Sequence, residues 1–224
     1  MISLPLIRYI LTAALRDRLM VTLVVMVGAG ASLGVFLGSA AITEQESFST
    51  VFGAGGLRFL GVAGLVLFVE FMLSRPISRL GYLFSHAAAF IFLALIVAIV
   101  VTLCVLATGK PNIAGLIAWG FSLMGEYAIM VVAALFFSFV LTSAAGSALA
   151  TFGFYALARL IGTLIGISRA APENMFFAFL NNVIELISVV IPRLDMMGQT
   201  SWLVYGVDGS AGLALREQAG LPAL

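Results

Sequence analysis

From Leu80 to Gly109 the chain runs without a single Asp, Glu, Lys or Arg, and Leu19 to Thr43 does the same. A helix rises about 1.5 Å per residue and the hydrocarbon layer is about 30 Å thick, so about 20 apolar residues suffice for one crossing. Uncharged runs of this length have no stable place in water, because a soluble globule needs a polar skin. The whole composition agrees. Of 224 residues, 62% are hydrophobic and 9% charged, against about 25% charged in a soluble domain. These values exclude a soluble enzyme and a disordered segment, and a net charge of +1 supplies no field for nucleic acid. The expected class is all-α, a polytopic transmembrane helical bundle.

The spans read in order. Leu19 to Thr43 is the first, and Phe48 to Leu73 the second, interrupted only by Arg58 and Glu70. Both lie near the ends of that run, where long side chains reach the headgroups. The third is placed at Phe84 to Ala107, followed by the turn signal Gly109-Lys110-Pro111-Asn112. The fourth runs from Ile113 to Leu141 with Glu126 in its middle, and the uncharged break Thr142 to Ser147 precedes a fifth, Ala148 to Ile167, that carries Arg159. Phe176 to Ile191 is apolar but short, is broken by Asn181, Asn182 and Glu185, and is stopped by Pro192. It suits a re-entrant or interfacial helix, with a sixth crossing as the alternative.

Upstream of the first span, Leu4, Ile7, Ile10, Leu11, Ala14 and Leu15 recur near helical spacing among Arg8, Arg16, Asp17 and Arg18. That pattern predicts an amphipathic helix lying at the membrane surface. The chain thus divides as one transmembrane domain, 1–224: an interface helix over 1–18, five spans over 19–167, a re-entrant or sixth helix over 168–192, and a tail over 193–224. No connection between spans is long enough for a soluble domain. Arg8, Arg16 and Arg18 before the first span, with Arg75 and Arg79 between the second and third, outweigh Lys110 on the other side. The positive-inside rule therefore places the N-terminus and the 74–82 loop in the cytoplasm.

Catalytic motifs are missing from the sequence. It contains no Walker-type glycine loop, no GxSxG and no HExxH, so no ATP-consuming or hydrolytic site is expected. One cysteine, Cys104, and one histidine, His86, exclude an intrachain disulfide and any metal site needing several Cys or His ligands.

Three constellations remain. Gly30, Gly34 and Gly38 repeat every four residues along the first span, and Gly162 and Gly166 repeat the pattern in the fifth. Such stripes let helix backbones approach closely in lipid, within the chain or between copies. Glu126 and Arg159 fall deep inside their spans, where each costs about 2.5–3.5 kcal/mol if unpaired. Their opposite signs suggest either a mutual pair or two groups facing a polar path. Glu185, with Asn181 and Asn182 beside it, gives the half-inserted helix a polar face.

The third constellation is Glu70-Phe71-Met72-Leu73-Ser74-Arg75-Pro76-Ile77-Ser78-Arg79-Leu80-Gly81-Tyr82. Pro76 ends one helix before it and opens another, with Ser74 placed as its cap and Arg75 and Arg79 a turn apart. This stretch resembles the cytoplasmic coupling region of permease subunits in the type-2 class of ATP-binding-cassette exporters, where an acidic residue precedes a Ser-Arg-Pro-x-Ser-Arg sequence and a leucine-rich return to the membrane.

The resemblance implies several things. Ser74, Arg75, Pro76, Ser78, Arg79 and Tyr82 would dock on a separate ATPase subunit that binds ATP and Mg, leaving this chain without a cofactor. The first and fifth spans would meet across the axis of a homodimer or pseudo-dimer, and Glu126, Arg159 and Glu185 would line the substrate path. The site would be the cytoplasmic (inner) membrane of a prokaryote. Such permeases usually close with a sixth span, and no segment after Pro192 is apolar enough to supply it. The rival expectation is a membrane anchor or assembly subunit that transports nothing.

Overall fold

The computed structural model describes residues 4–40, 45–73, 80–170 and 191–206, and all of its regular elements among them are helical. This follows from the medium. Lipid offers no hydrogen-bond partners, so a charge-free apolar run must satisfy its backbone internally, and a helix does so within one segment. The helices are α1 (Leu4–Arg16), α2 (Arg18–Ala40), α3 (Gln45–Leu73), α4 (Leu80–Thr108), α5 (Ile113–Val140) and α6 (Ala144–Ala170), followed by a short 3-10 turn, Leu194–Met196.

Five of these helices are long and apolar enough to cross a membrane, through Met20–Leu37, Ser49–Leu73, Phe84–Thr108, Ile113–Val140 and Ala144–Leu164. They match the five runs read from the sequence, except that the last begins at Ala144, inside the break expected at Thr142 to Ser147. The N-terminal residues form a separate helix, α1, whose Ala14 is buried and whose Tyr9 and Leu15 are exposed. A break at Asp17 divides it from α2, and α1 packs chiefly on α4.

The connections explain the order of the bundle. After α4, Asn112 caps α5 by accepting from the Gly115 amide at 3.1 Å, so the Gly109–Asn112 turn reverses the chain within a few residues. After α5, the Leu141 amide returns to the Phe137 carbonyl at 2.8 Å. Ser143 then starts α6, its hydroxyl accepting from the Gly146 amide at 3.4 Å. Tight turns make α4, α5 and α6 successively antiparallel. Since α3 also runs opposite to α4, α3 and α5 are parallel and α6 is antiparallel to both.

Helices α3 and α5 form the centre: α3 touches α2, α4, α5 and α6, while α5 touches α3, α4 and α6. Between them lie Leu57, Val62, Leu65, Trp119, Leu123, Tyr127 and Met130, all sealed from the surface. The outward faces are also apolar, with Phe36, Phe59, Phe71, Phe92, Phe121 and Phe136 exposed. An apolar exterior over an apolar interior is what lipid as solvent selects, and in water it would be an aggregation surface.

Two glycines of the α2 stripe, Gly30 and Gly34, meet a helix of the same chain. A Cβ on Gly30 would lie 2.6 Å from Leu60 Cδ1, and one on Gly34 would lie 3.3 Å from the Gly53 Cα. Both therefore face α3, the most extensive helix partner of α2. A Cβ on Gly162 would collide with the Asp195 side chain, so this glycine admits the chain's own C-terminal segment. Gly38 and Gly166 lie on α2 and α6.

Several expectations fall outside the described residues: Ser74, Arg75, Pro76, Ser78 and Arg79 of the 74–82 loop, Glu185 with most of the 168–192 segment, and the tail beyond 206. Tyr82 belongs to α4. The first part of the tail, however, is described. Residues 191–206 lie against the bundle with Leu194 and Leu203 fully buried, and the Asn112 amide donates to the Leu203 carbonyl at 2.7 Å.

Candidate functional site

Arg58 and Glu126 each stand thirteen residues after the first residue of their helices, Gln45 and Ile113. Parallel helices starting at the same end bring equal offsets to equal depth, about 20 Å below those first residues. There the Arg58 Nη2 and the Glu126 Oε2 form a salt bridge, with side-chain exposures of 2% and 0%. This corrects two expectations. Arg58 points into the bundle rather than toward headgroups, and it, not Arg159, is the cation paired with Glu126. The sequence signal was present in the equal offsets, but it becomes readable only once α3 and α5 are known to be parallel neighbours.

A second layer closes over this pair. Arg58 also donates from Nη1 to the Gly198 carbonyl at 2.7 Å and from Nη2 to the Met197 carbonyl at 2.8 Å. Arg159, from α6, donates to the Leu194 carbonyl at 2.6 Å and to the Met197 carbonyl at 3.1 Å. The Met197 oxygen is thus shared by both guanidiniums, which fixes them side by side. Trp119 adds a bond from its indole N–H to the Gly198 carbonyl at 3.1 Å, and the Gly198 amide donates to the Ser122 hydroxyl at 2.7 Å. Beneath, the Tyr127 hydroxyl donates to the Arg58 carbonyl at 3.1 Å.

Gly198 makes this approach possible. Its φ of 55° lies in the left-handed region, and a Cβ there would stand 3.0 Å from the Arg58 guanidinium carbon. Asp195, one turn back, has its carboxylate against Gly162 and accepts from Arg193 at 3.0 Å. Three buried polar atoms have no hydrogen-bond partner among the described residues: Arg58 Nε, Glu126 Oε1 and Asp195 Oδ1. All belong to this one cluster.

Glu70, near the end of α3, is held differently. Glu70 is buried and accepts from the Ser138 hydroxyl of α5 at 2.8 Å and from the Ser147 hydroxyl of α6 at 2.6 Å. It does not reach toward headgroups; it ties the end of α3 to α5 and α6 on either side of their turn. Sequence reasoning missed both serines, since a lone serine in an apolar run carries no signature. His86 packs edge-on against Phe90, ring centroids 5.8 Å apart, and Cys104 is half-buried among apolar neighbours.

An apolar groove between α4 and α5, lined by Leu103, Ile117, Phe121 and Met124 among others, offers no convergent polar groups. It suits a hydrocarbon chain and no chemistry. Among the described residues no three His, Cys, Asp or Glu side chains converge to hold a metal ion. The chemical weight of the molecule therefore sits in the Arg58–Glu126–Arg159 cluster under the Leu194–Gly198 segment. Comparison with protein-family models, with curated proteins and with solved structures finds no match to any of them.

Proposed function

We propose that the chain is the permease subunit of a type-2 ATP-binding-cassette exporter, working as a dimer with separate ATPase subunits. The observation that carries this reading is the Glu70–Tyr82 motif on the connection between two membrane-crossing helices. In this reading α1 lies at the cytoplasmic surface of a prokaryotic inner membrane, and the 74–82 loop faces the ATPase. The five arginines on that side agree with the positive-inside rule.

Glu70 gives the loop a mechanical route into the bundle. Four residues before Ser74, it is tied to α5 through Ser138 and to α6 through Ser147. Closure of two ATPase subunits around ATP would push on Arg75 to Tyr82, and the displacement would pass through Glu70 to α5 and α6. Such a push shifts the equilibrium between inward and outward openings only if the ATPase binds the two forms with different affinity. In reconstituted complexes, the double reversal Arg75→Glu/Arg79→Glu lowers coupled ATP turnover about tenfold, corresponding to about 1.4 kcal/mol of lost docking. Unchanged turnover would overturn the role of the loop.

A second reading, a membrane anchor that carries no substrate, draws on the count of five crossing helices among the described residues where such permeases usually have six. It requires no ATPase and leaves the double reversal silent.

A further inference from the structure

We propose that Arg58 and Arg159 form a binding site for an oxyanion, a phosphate or carboxylate group, which the Leu194–Gly198 segment covers in the present state. Two guanidiniums converge here on a single acceptor, the Met197 carbonyl, at 2.8 and 3.1 Å. They face two carboxylates, Glu126, which pairs with Arg58, and Asp195, which Arg193 engages through one oxygen while the other stays buried. Counted together, three guanidiniums, Arg58, Arg159 and Arg193, meet these two carboxylates, an excess of one positive charge. An excess cation inside a membrane bundle is expensive and marks a functional path by default.

The remaining donors are satisfied in an unusual way. Every other acceptor of the two guanidiniums is a backbone carbonyl of one short segment, Leu194, Met197 or Gly198. Carbonyl dipoles stand where a charged oxygen group would bind, and guanidinium forks match phosphate and carboxylate oxygens better than single carbonyls. Of the three buried atoms of the cluster with no partner among the described residues, Arg58 Nε is a donor, and Glu126 Oε1 and Asp195 Oδ1 are acceptors, so the fork keeps one donor unused. Removing the segment would free donors on both arginines at once, facing the same point.

The site rests on these contacts and not on the transport reading, so its test needs no ATPase. The full-length chain in neutral detergent is titrated with spin-labelled phosphatidylglycerol, and separately with spin-labelled phosphatidylcholine. The motionally restricted fraction is read by electron paramagnetic resonance. Two substitutions loosen the cover without removing a guanidinium: Ser122→Ala deletes the acceptor of the Gly198 amide, and Gly198→Ala strains a left-handed residue. Each raises the affinity for phosphatidylglycerol over phosphatidylcholine by about tenfold.

Adding Arg159→Gln to either variant returns the selectivity to that of the unsubstituted protein, while Arg159→Lys retains part of it. Inorganic phosphate that competes the label off assigns the site to a free anion; phosphate that does not compete assigns it to a lipid headgroup. The proposal is overturned if monodisperse Ser122→Ala and Gly198→Ala proteins show no gain in selectivity, or if the gain survives Arg159→Gln.

Discussion

Arg58 makes contacts of two kinds, one with a carboxylate and two with carbonyls, and they respond differently to substitution. Arg58→Met leaves Glu126 buried and unpaired, a change that costs about 3–5 kcal/mol when one partner of an interior pair is lost. The double variant Arg58→Met/Glu126→Leu removes both charges and recovers most of that loss, because two apolar groups need no partner. Recovery stays incomplete, since the Met197 and Gly198 carbonyls still lose their donor. Thermal unfolding of the purified chain in detergent measures both steps. If the double variant is no more stable than the single, the ion pair is not what holds Arg58 in place.

Smaller effects belong to Glu70. Ser147→Ala leaves one buried carboxylate oxygen without its hydroxyl donor, which costs about 1–3 kcal/mol. The residue scale is also where the sequence was least legible. Glu126 and Arg159 stood out as charges within spans, but Arg58 looked peripheral because its distance to the nearer end of the run was read without knowing which way it points. The three carbonyl acceptors carry no signature whatever in a sequence.

Among the elements, α2 and α3 provide the clearest test of what the glycine stripe does. Gly34 approaches the Gly53 backbone closely, while Gly28 on the same helix has nothing within 4 Å of an added Cβ. Gly34→Leu therefore forces α2 away from α3 and costs about 1–3 kcal/mol of stability. Gly28→Ala is neutral or raises stability by up to about 1 kcal/mol through helix propensity. Equal effects at the two positions in the same thermal assay would show that the stripe is not an α2–α3 contact.

The existence and order of the five crossing helices were legible almost completely, because a predominantly apolar run of this length satisfies its backbone in lipid by forming a helix. The stripe was legible as a close approach, but its partner was not: a small residue says that something comes near, not whether that is the same chain or another. The docking of residues 191–206 was not legible either. That segment has no apolar period of its own and is held by backbone groups and by two buried leucines, Leu194 and Leu203.

At the scale of the whole molecule, the bundle joins two polar devices at different depths of its central helices, one near an end and one midway. Near one end, Glu70 ties α3 to α5 and α6 beside the 74–82 loop. Midway along, Arg58, Glu126 and Arg159 hold the Leu194–Gly198 segment against the same three helices. Because α3, α5 and α6 take part in both, a shift imposed at the loop in the proposed transport cycle would reach the arginines through these three helices. The proposed transport cycle needs such a connection, and an anchor subunit does not.

Co-purification reads this most directly. The full-length chain is isolated from its native membranes in mild detergent, and the associated subunits are identified by mass spectrometry. The account predicts recovery of an ATPase subunit carrying a Walker A motif, falling about tenfold in the Arg75→Glu/Arg79→Glu variant. Recovery of such a subunit at the same level with both arginines reversed, or purification of the unsubstituted chain without any ATPase, would contradict it.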